Sequence, residues 1–148
     1  MSREAVKQAL IVCTNENAVF PTKGTPDSIG YDLTAISVYK TVNPQTILFD
    51  TGLQVKPPEG YYTEILPRSS LTKSGYVLAN SVGVIDPDYR GNLLIALTKV
   101  VEAAPNLTLP FKLCQLVLRK VEDFELKQVQ VLDDTVRGDG GFGSTDKK

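Results

Sequence analysis

The 148 residues contain no histidine. That removes both the commonest general base at neutral pH and the commonest zinc ligand, so any catalysis must rest on carboxylates, hydroxyls, arginines or a bound ion. Cysteine is scarce. Cys13 and Cys114 each sit inside an apolar run, ALIVC and FKLCQLVL, where a free thiol behaves as a small hydrophobe. Both are expected to be reduced core residues. No run approaches ~18 uninterrupted apolar residues, and the opening SREAVKQAL carries charge where a secretion signal needs its hydrophobic segment. The expected location is the cytoplasm, with no membrane partner. Excess charge of either sign is also missing, with 16 basic against 17 acidic residues and a formal charge of −1. A sequence-independent grip on polynucleotide phosphates requires a basic surface, so a nucleic-acid binder is disfavoured.

The length and the 42% hydrophobic content fit one folded domain, which at this size buries roughly 68–70% of its unfolded surface without a metal or disulfide staple. Strand-length apolar runs dominate, at 10–13, 31–36, 46–49, 52–55, 61–66, 76–82, 93–101, 113–118 and 126–132. Turn signals such as Asn43-Pro44 and Pro57-Pro58-Glu59-Gly60 separate them, and this spacing predicts an all-β sandwich or barrel rather than βαβ units. The alternation across 125–131 predicts a half-buried strand. Only 2–10 and 69–74 have room for a helical turn. The last twelve residues hold four of the eleven glycines and offer little to bury, so the chain divides into a core, 1–136, and a flexible tail, 137–148.

Several constellations can carry chemistry. In the tail, RGDGGFGST (137–145) isolates Phe142 among glycines, with Arg137 before it and Ser144 and Thr145 after it. Such a segment is either a solvated terminus or a flap whose ring, guanidinium and hydroxyls close over a phosphorylated ring compound. PRSSL (67–71) sets Arg68, Ser69 and Ser70 at the start of a turn, as a phosphate cradle or as a helix cap. NSVGVIDPDYRG (80–91) leads an apolar segment into Asp86 and Asp88, fixed by Pro87. A carboxylate there can act as general base on water, while Asp88 and Arg90 are expected to form a structural pair. Asp32, in GYDLTA (30–35), is an acid in an apolar strand, placed for solvent or for a hard cation that keeps its waters. Gln115, in CQL (114–116), is a polar residue in a buried-looking strand.

Taken in order, GYDLTA, PRSSL, NSVGVIDPDYRG, CQL and RGDGGFGST resemble the five motifs of the trimeric dUTPase family, and the match runs from about Phe20 to the tail. The resemblance implies an all-β, jelly-roll-like distorted barrel and a homotrimer whose active sites draw on all three subunits, the tail of one closing a site formed by the others. It implies Mg²⁺-dependent hydrolysis of dUTP to dUMP and pyrophosphate, which limits uracil incorporation into DNA and supplies dUMP for dTMP synthesis. Carried over, Asp86 resembles the base that deprotonates water attacking the α-phosphorus. Tyr89 packs against the deoxyribose and excludes a 2′-hydroxyl, while Asn80 and the backbone of Gly83, Val84 and Ile85 read the uracil edge. Arg68, Ser69, Ser70 and Gln115 hold phosphates, and Asp32 meets Mg²⁺ through water. From the tail, Phe142 stacks on uracil, with Arg137, Gly143, Ser144 and Thr145 around the γ-phosphate.

Two positions depart from that pattern. Ser70 and Asp146 stand where the family usually has glycine, the first adding a side chain and the second a negative charge near phosphates. PRSSL and Ile85-Asp86-Pro87 also resemble the related dCTP deaminases, but Ala96 occupies the position of their catalytic glutamate, so proton transfer for deamination lacks its agent. A non-catalytic nucleotide sensor on the same scaffold is the remaining alternative.

Overall fold

Most of the strand-length apolar runs become antiparallel strands, whose side chains point alternately to two faces so that one face can cover a core. The computed structural model describes residues 5–143. Its strands are β1 (Leu10–Cys13), β2 (Tyr31–Ala35), β3 (Ser37–Asn43), β4 (Thr46–Asp50), β5 (Leu53–Lys56), β6 (Tyr61–Pro67), β7 (Tyr76–Leu78), β8 (Gly83–Ile85), β9 (Leu94–Lys99) and β10 (Phe111–Lys120). The single 3-10 turn Ser69–Lys73 is the only helix among the described residues. Three antiparallel sheets result, ordered β1-β5, β2-β10-β6-β8 and β3-β4-β9-β7. The fold is all-β as predicted, although the sheets surround one core without hydrogen-bonding round into a closed barrel. No helix of the described residues is long and apolar enough to cross a membrane.

All three sheets feed that core, with Leu33 from β2, Phe49 from β4, Leu53 and Val55 from β5, Ile65 from β6, Ile95 and Leu97 from β9, and Cys114 and Leu116 from β10. Phe49 and Phe111 meet edge to face, with centroids 4.8 Å apart and planes at 86°. That contact joins the two larger sheets and contributes ~0.5–1.5 kcal/mol beyond the area it buries. The Asn43-Pro44 signal is a turn as expected. The Asn43 carboxamide oxygen accepts N–H bonds from Gln45 and Thr46 at 2.9 and 2.8 Å, which fixes the β3–β4 connection.

The structure corrects several expectations. Residues 126–132 form no strand, and Leu126 and Val131 are exposed; alternation alone does not make a strand where no edge of the same subunit pairs with it. The 76–82 run stops at Leu78, because the chain turns at Ser81, whose φ is 60°, and re-enters as β8. The 93–101 run ends at Lys99, where Val100 and Val101 donate N–H bonds to the Gly75 carbonyl. Strand β3 was not anticipated. All seven of its residues are exposed, so no burial period marks it. Residues 5–9 form no helix. Cys13 is exposed rather than buried, because β1 has only β5 beside it and packs Ile11 alone against the core.

Cys114 is buried as expected, and burial pushes its thiol up to about 12, since a thiolate there would lose its hydration. The two cysteines therefore differ in reactivity. At pH 8 a chromogenic disulfide reagent is expected to titrate Cys13 alone in the native protein and Cys114 only after guanidinium unfolding. Two fast thiols in the native state would mean that the core around Cys114 opens readily.

Candidate active site

Strand β10 places the first group of candidate residues. Gln115 stands opposite Asp32 on β2 and opposite Leu66 on β6, so one row across three strands carries an acid and an amide beside the end of β6. Arg68 follows immediately. Its backbone N–H donates to the Leu113 carbonyl at 2.9 Å. Its side chain donates to the Lys112 carbonyl at 2.6 Å and pairs through Nε with Asp32 Oδ1 at 3.0 Å. Gln115 Nε2 donates to the Pro67 carbonyl at 3.0 Å. The Gln115 side chain crosses directly over Gly30, where a Cβ would stand 3.1 Å from Gln115 Cβ and closer still to its carboxamide; only glycine allows that approach. Ser69 and Ser70 are exposed at the start of the 3-10 turn, and no side chain caps its N-terminal end. The capping reading of these serines is thereby set aside.

The second group lies on the outer strand β8 and the loop after it. Ladder pairs Thr63 with Ile85 and Ile65 with Gly83 run β8 antiparallel to β6 and leave its other edge without a strand among the described residues. Asn80 precedes β8, and its Nδ2 lies 3.3 Å from where a Gly83 Cβ would stand. Asp86 follows β8 and is exposed. Tyr89 N–H donates to the Asp86 carbonyl at 3.0 Å, closing a β-turn with Pro87 in the position that favours proline. The expected Asp88–Arg90 pair is corrected: Arg90 Nη1 donates instead to the Pro87 and Tyr89 carbonyls at 2.7 and 3.1 Å. The Tyr89 hydroxyl donates to the Asn92 carbonyl at 2.6 Å, and the ring lies so close over Gly91 that a Cβ there would be 2.6 Å from Tyr89 Cζ. Asn92 and its partner Asp50 were missed from sequence; the only signal was one more polar residue after a turn already rich in them.

Within one subunit these groups stand apart. The β6–β8 pairing places Asp86 beside the beginning of β6, whereas Asp32, Arg68 and Gln115 gather at its end. Counted along extended strand from Tyr62, beside Asp86, the distance is about 13 Å to the Gln115 row and about 20 Å to Arg68, at ~3.3 Å per residue. In the tail, Arg137 Nε donates to the Gly140 carbonyl at 2.6 Å, and the Phe142 ring is fully exposed. Ser144 and Thr145 lie outside the described residues.

No three acidic, cysteine or histidine side chains converge as a metal cage among the described residues. That donor set fits Mg²⁺ in one manner. This ion keeps several waters and often binds through one carboxylate together with substrate phosphates, and Asp32 beside Arg68 supplies such a carboxylate.

Fold and site define an all-β chain in which the Arg68–Asp32–Gln115 cluster and Asp86 lie toward opposite ends of strand β6. Residues 16–146 match the family model for dUTPase. The chain is 39% identical over 137 residues to the deoxyuridine 5'-triphosphate nucleotidohydrolase of Finegoldia magna, covering 90% of this chain and 96% of that one. A dUTPase variant of Staphylococcus bacteriophage 80alpha, solved with dUpNHpp, superposes with a TM-score of 0.76 at 24% identity, covering 95% of this chain and 99% of that one. A dUTPase variant of phage phi11 of S. aureus, described for its coordination of a structural Mg(II) ion, superposes at 0.70 and 25% identity, covering 86% and 99%. The chain belongs to the dUTPase family.

The Arg68–Asp32 pair keeps side-chain exposures of 33% and 15%, and pairs open to water contribute about 1 kcal/mol or less. Asp32→Asn is therefore expected to change stability by under ~1 kcal/mol in denaturant melts. A much larger loss would make the pair a structural element rather than one available to ligands.

Proposed function

We propose that this chain hydrolyses dUTP to dUMP and pyrophosphate as a cytoplasmic homotrimer, with each active site assembled from neighbouring subunits. The observation that carries this reading is the separation of Asp86 from Arg68 and Gln115 along β6. Neither end suffices alone, and a copy whose β8 faces another copy's Arg68 end would complete the site. Membership of the dUTPase family supports the same substrate.

In this reading Arg68, Ser69, Ser70 and Gln115 hold the phosphate chain. Arg68 is already aimed by the Lys112 carbonyl and Asp32, so little rotamer freedom remains to be lost on binding. Asn80 and the outer edge of β8 face the uracil, where the strand's backbone carbonyls and the Val84 N–H, which otherwise donates to the Val82 carbonyl at 3.2 Å, recognise the complementary donors and acceptors of an imide. Asp86 accepts the proton of a water that attacks the α-phosphorus, and pyrophosphate departs. Attack on phosphorus requires positioning and charge stabilisation more than a strong base, which suits a chain without histidine. Mg²⁺ bound through water at Asp32 supplies charge neutralisation for the phosphates. Tyr89 stands against the sugar and leaves no space for a 2′-hydroxyl. The tail, 137–148, closes the site, Phe142 covering the base and Arg137, Gly143, Ser144 and Thr145 meeting the γ-phosphate. Ala96 on β9, opposite Leu48, offers no acid for deamination, so dCTP should yield no ammonia.

Asp86→Asn should bind a non-hydrolysable dUTP mimic with near-normal affinity while kcat falls by about 10²–10⁴; near-normal turnover would place the base elsewhere. Deleting 137–148 should leave a folded trimer with little activity. Mixing that deletion with Asp86→Asn should recover part of the activity, because some mixed sites receive both an intact acid and an intact tail. No recovery in well-exchanged trimers would rule out shared sites.

A further inference from the structure

The hydrogen bonds behind Tyr89 extend well beyond its own loop. Asn92, whose carbonyl accepts the Tyr89 hydroxyl, directs its side-chain amide at Asp50, with Nδ2 3.1 and 3.2 Å from the two carboxylate oxygens. Its Oδ1 lies 3.2 Å from the Thr14 hydroxyl, which also points at the Gly52 carbonyl at 3.0 Å. This arrangement permits one orientation of the Asn92 side chain, since a flip would set its oxygen against a carboxylate. Asp50 is itself held, accepting the Gly52 N–H at 2.8 Å. The next residue, Leu93, is fully buried and exchanges bonds with the β4–β5 bend: its N–H donates to the Leu53 carbonyl at 2.7 Å, and its carbonyl accepts the buried Thr51 hydroxyl at 2.8 Å. The loop carrying Tyr89 leaves β8 in one sheet, yet its far end is fastened to β4 of another sheet and to the residue after β1.

We propose that Asp50, acting through Asn92, is a positioning residue that sets the Tyr89 ring and thereby the preference for a deoxyribose over a ribose nucleotide. The proposal rests on the dUTP-hydrolase reading for its substrate. Tyr89 is 40% exposed and its ring lies on the Gly91 backbone, so its hydroxyl bond is the directional restraint on it. Steric rejection of one hydroxyl depends on the position of that ring, and a displacement of about 1 Å at such a position changes rates by large factors. Asp50 itself touches no nucleotide in this scheme. Its loss frees the Asn92 side chain and leaves the 92–93 peptide held on the Leu93 side alone, through the N–H bond to the Leu53 carbonyl, so that the 92 carbonyl tilts and the ring loosens with it.

The test compares kcat/KM for dUTP with that for UTP in the full-length enzyme. Asp50→Ala is expected to lower the ratio about tenfold, chiefly by admitting UTP, with kcat for dUTP within about threefold of the parent. Asp50→Asn, which keeps one acceptor for the Asn92 amide, should recover part of the ratio. In a Tyr89→Phe background Asp50→Ala should lower it no further, because residues acting through one bond are not additive. An unchanged ratio, or a full additional loss in that background, would overturn the proposal. Should Asp50→Ala fail to fold, Thr14→Val removes only the hydroxyl on Asn92, and the same shift in smaller measure is required of it. Ring-labelled tyrosine NMR gives a readout independent of substrate: the Tyr89 signal, assigned by Tyr89→Phe, should broaden or move in Asp50→Ala. If the parent enzyme does not hydrolyse dUTP, the functional reading fails, and an unmoved Tyr89 signal would separately overturn the positioning role.

Discussion

Strand β10 carries ladder partners on both edges, and the rest of the molecule depends on its register. Cys114 and Leu116 are buried on either side of Gln115, so a slip of one residue would turn the amide into the core and two apolar side chains toward water. The burial of those neighbours therefore fixes Gln115 between Asp32 and the end of β6. Arg68 depends on the same strand, accepting its direction from the carbonyls of Lys112 and Leu113. A polar site is thus aligned by apolar contacts on the opposite face of the strand.

The same sheet explains why a chain with so few specialised side chains can be proposed to act on a highly charged substrate. One end concentrates a cation, an amide and hydroxyls; the other presents an acid at the end of an outer strand. Keeping them about 20 Å apart within a subunit separates the carboxylate from the guanidinium that would neutralise it. In the proposed trimer, neighbouring copies would bring the two ends together. Asp32 already pairs with Arg68, so the guanidinium is held beside a carboxylate.

Much of this was legible in the sequence for an identifiable reason. Runs such as 61–66 and 113–118 are rich in apolar residues because they cover the core, and each lies wholly in a strand. The motif residues could be named because their order along the chain resembles a family. What escaped was decided by neighbours that the sequence does not mark. Strand β3 pairs with β4 although every residue is exposed, so its hydrogen bonds left no hydrophobic trace. Residues 126–132 have the trace and no partner. Cys13 sits in an apolar run but on a strand with one neighbour, and Arg90 chose backbone carbonyls over Asp88. Asp50 and Asn92 are 42 residues apart, a pairing no local pattern announces.

Strand β3 also has a consequence for how the protein behaves in concentrated solution. It is an outer strand with Val38, Tyr39 and Val42 facing water, which is the profile of a template for intermolecular sheet growth. Its ladder with β4 is broken by register shifts between Val38 and Lys40 and between Thr41 and Asn43, and Lys40 stands between them. Irregular pairing and an embedded ammonium bend and charge that rim, so a foreign strand cannot dock along it in continuous register. Straightening β3 or removing Lys40 would take away an obstacle to edge-to-edge pairing along that rim.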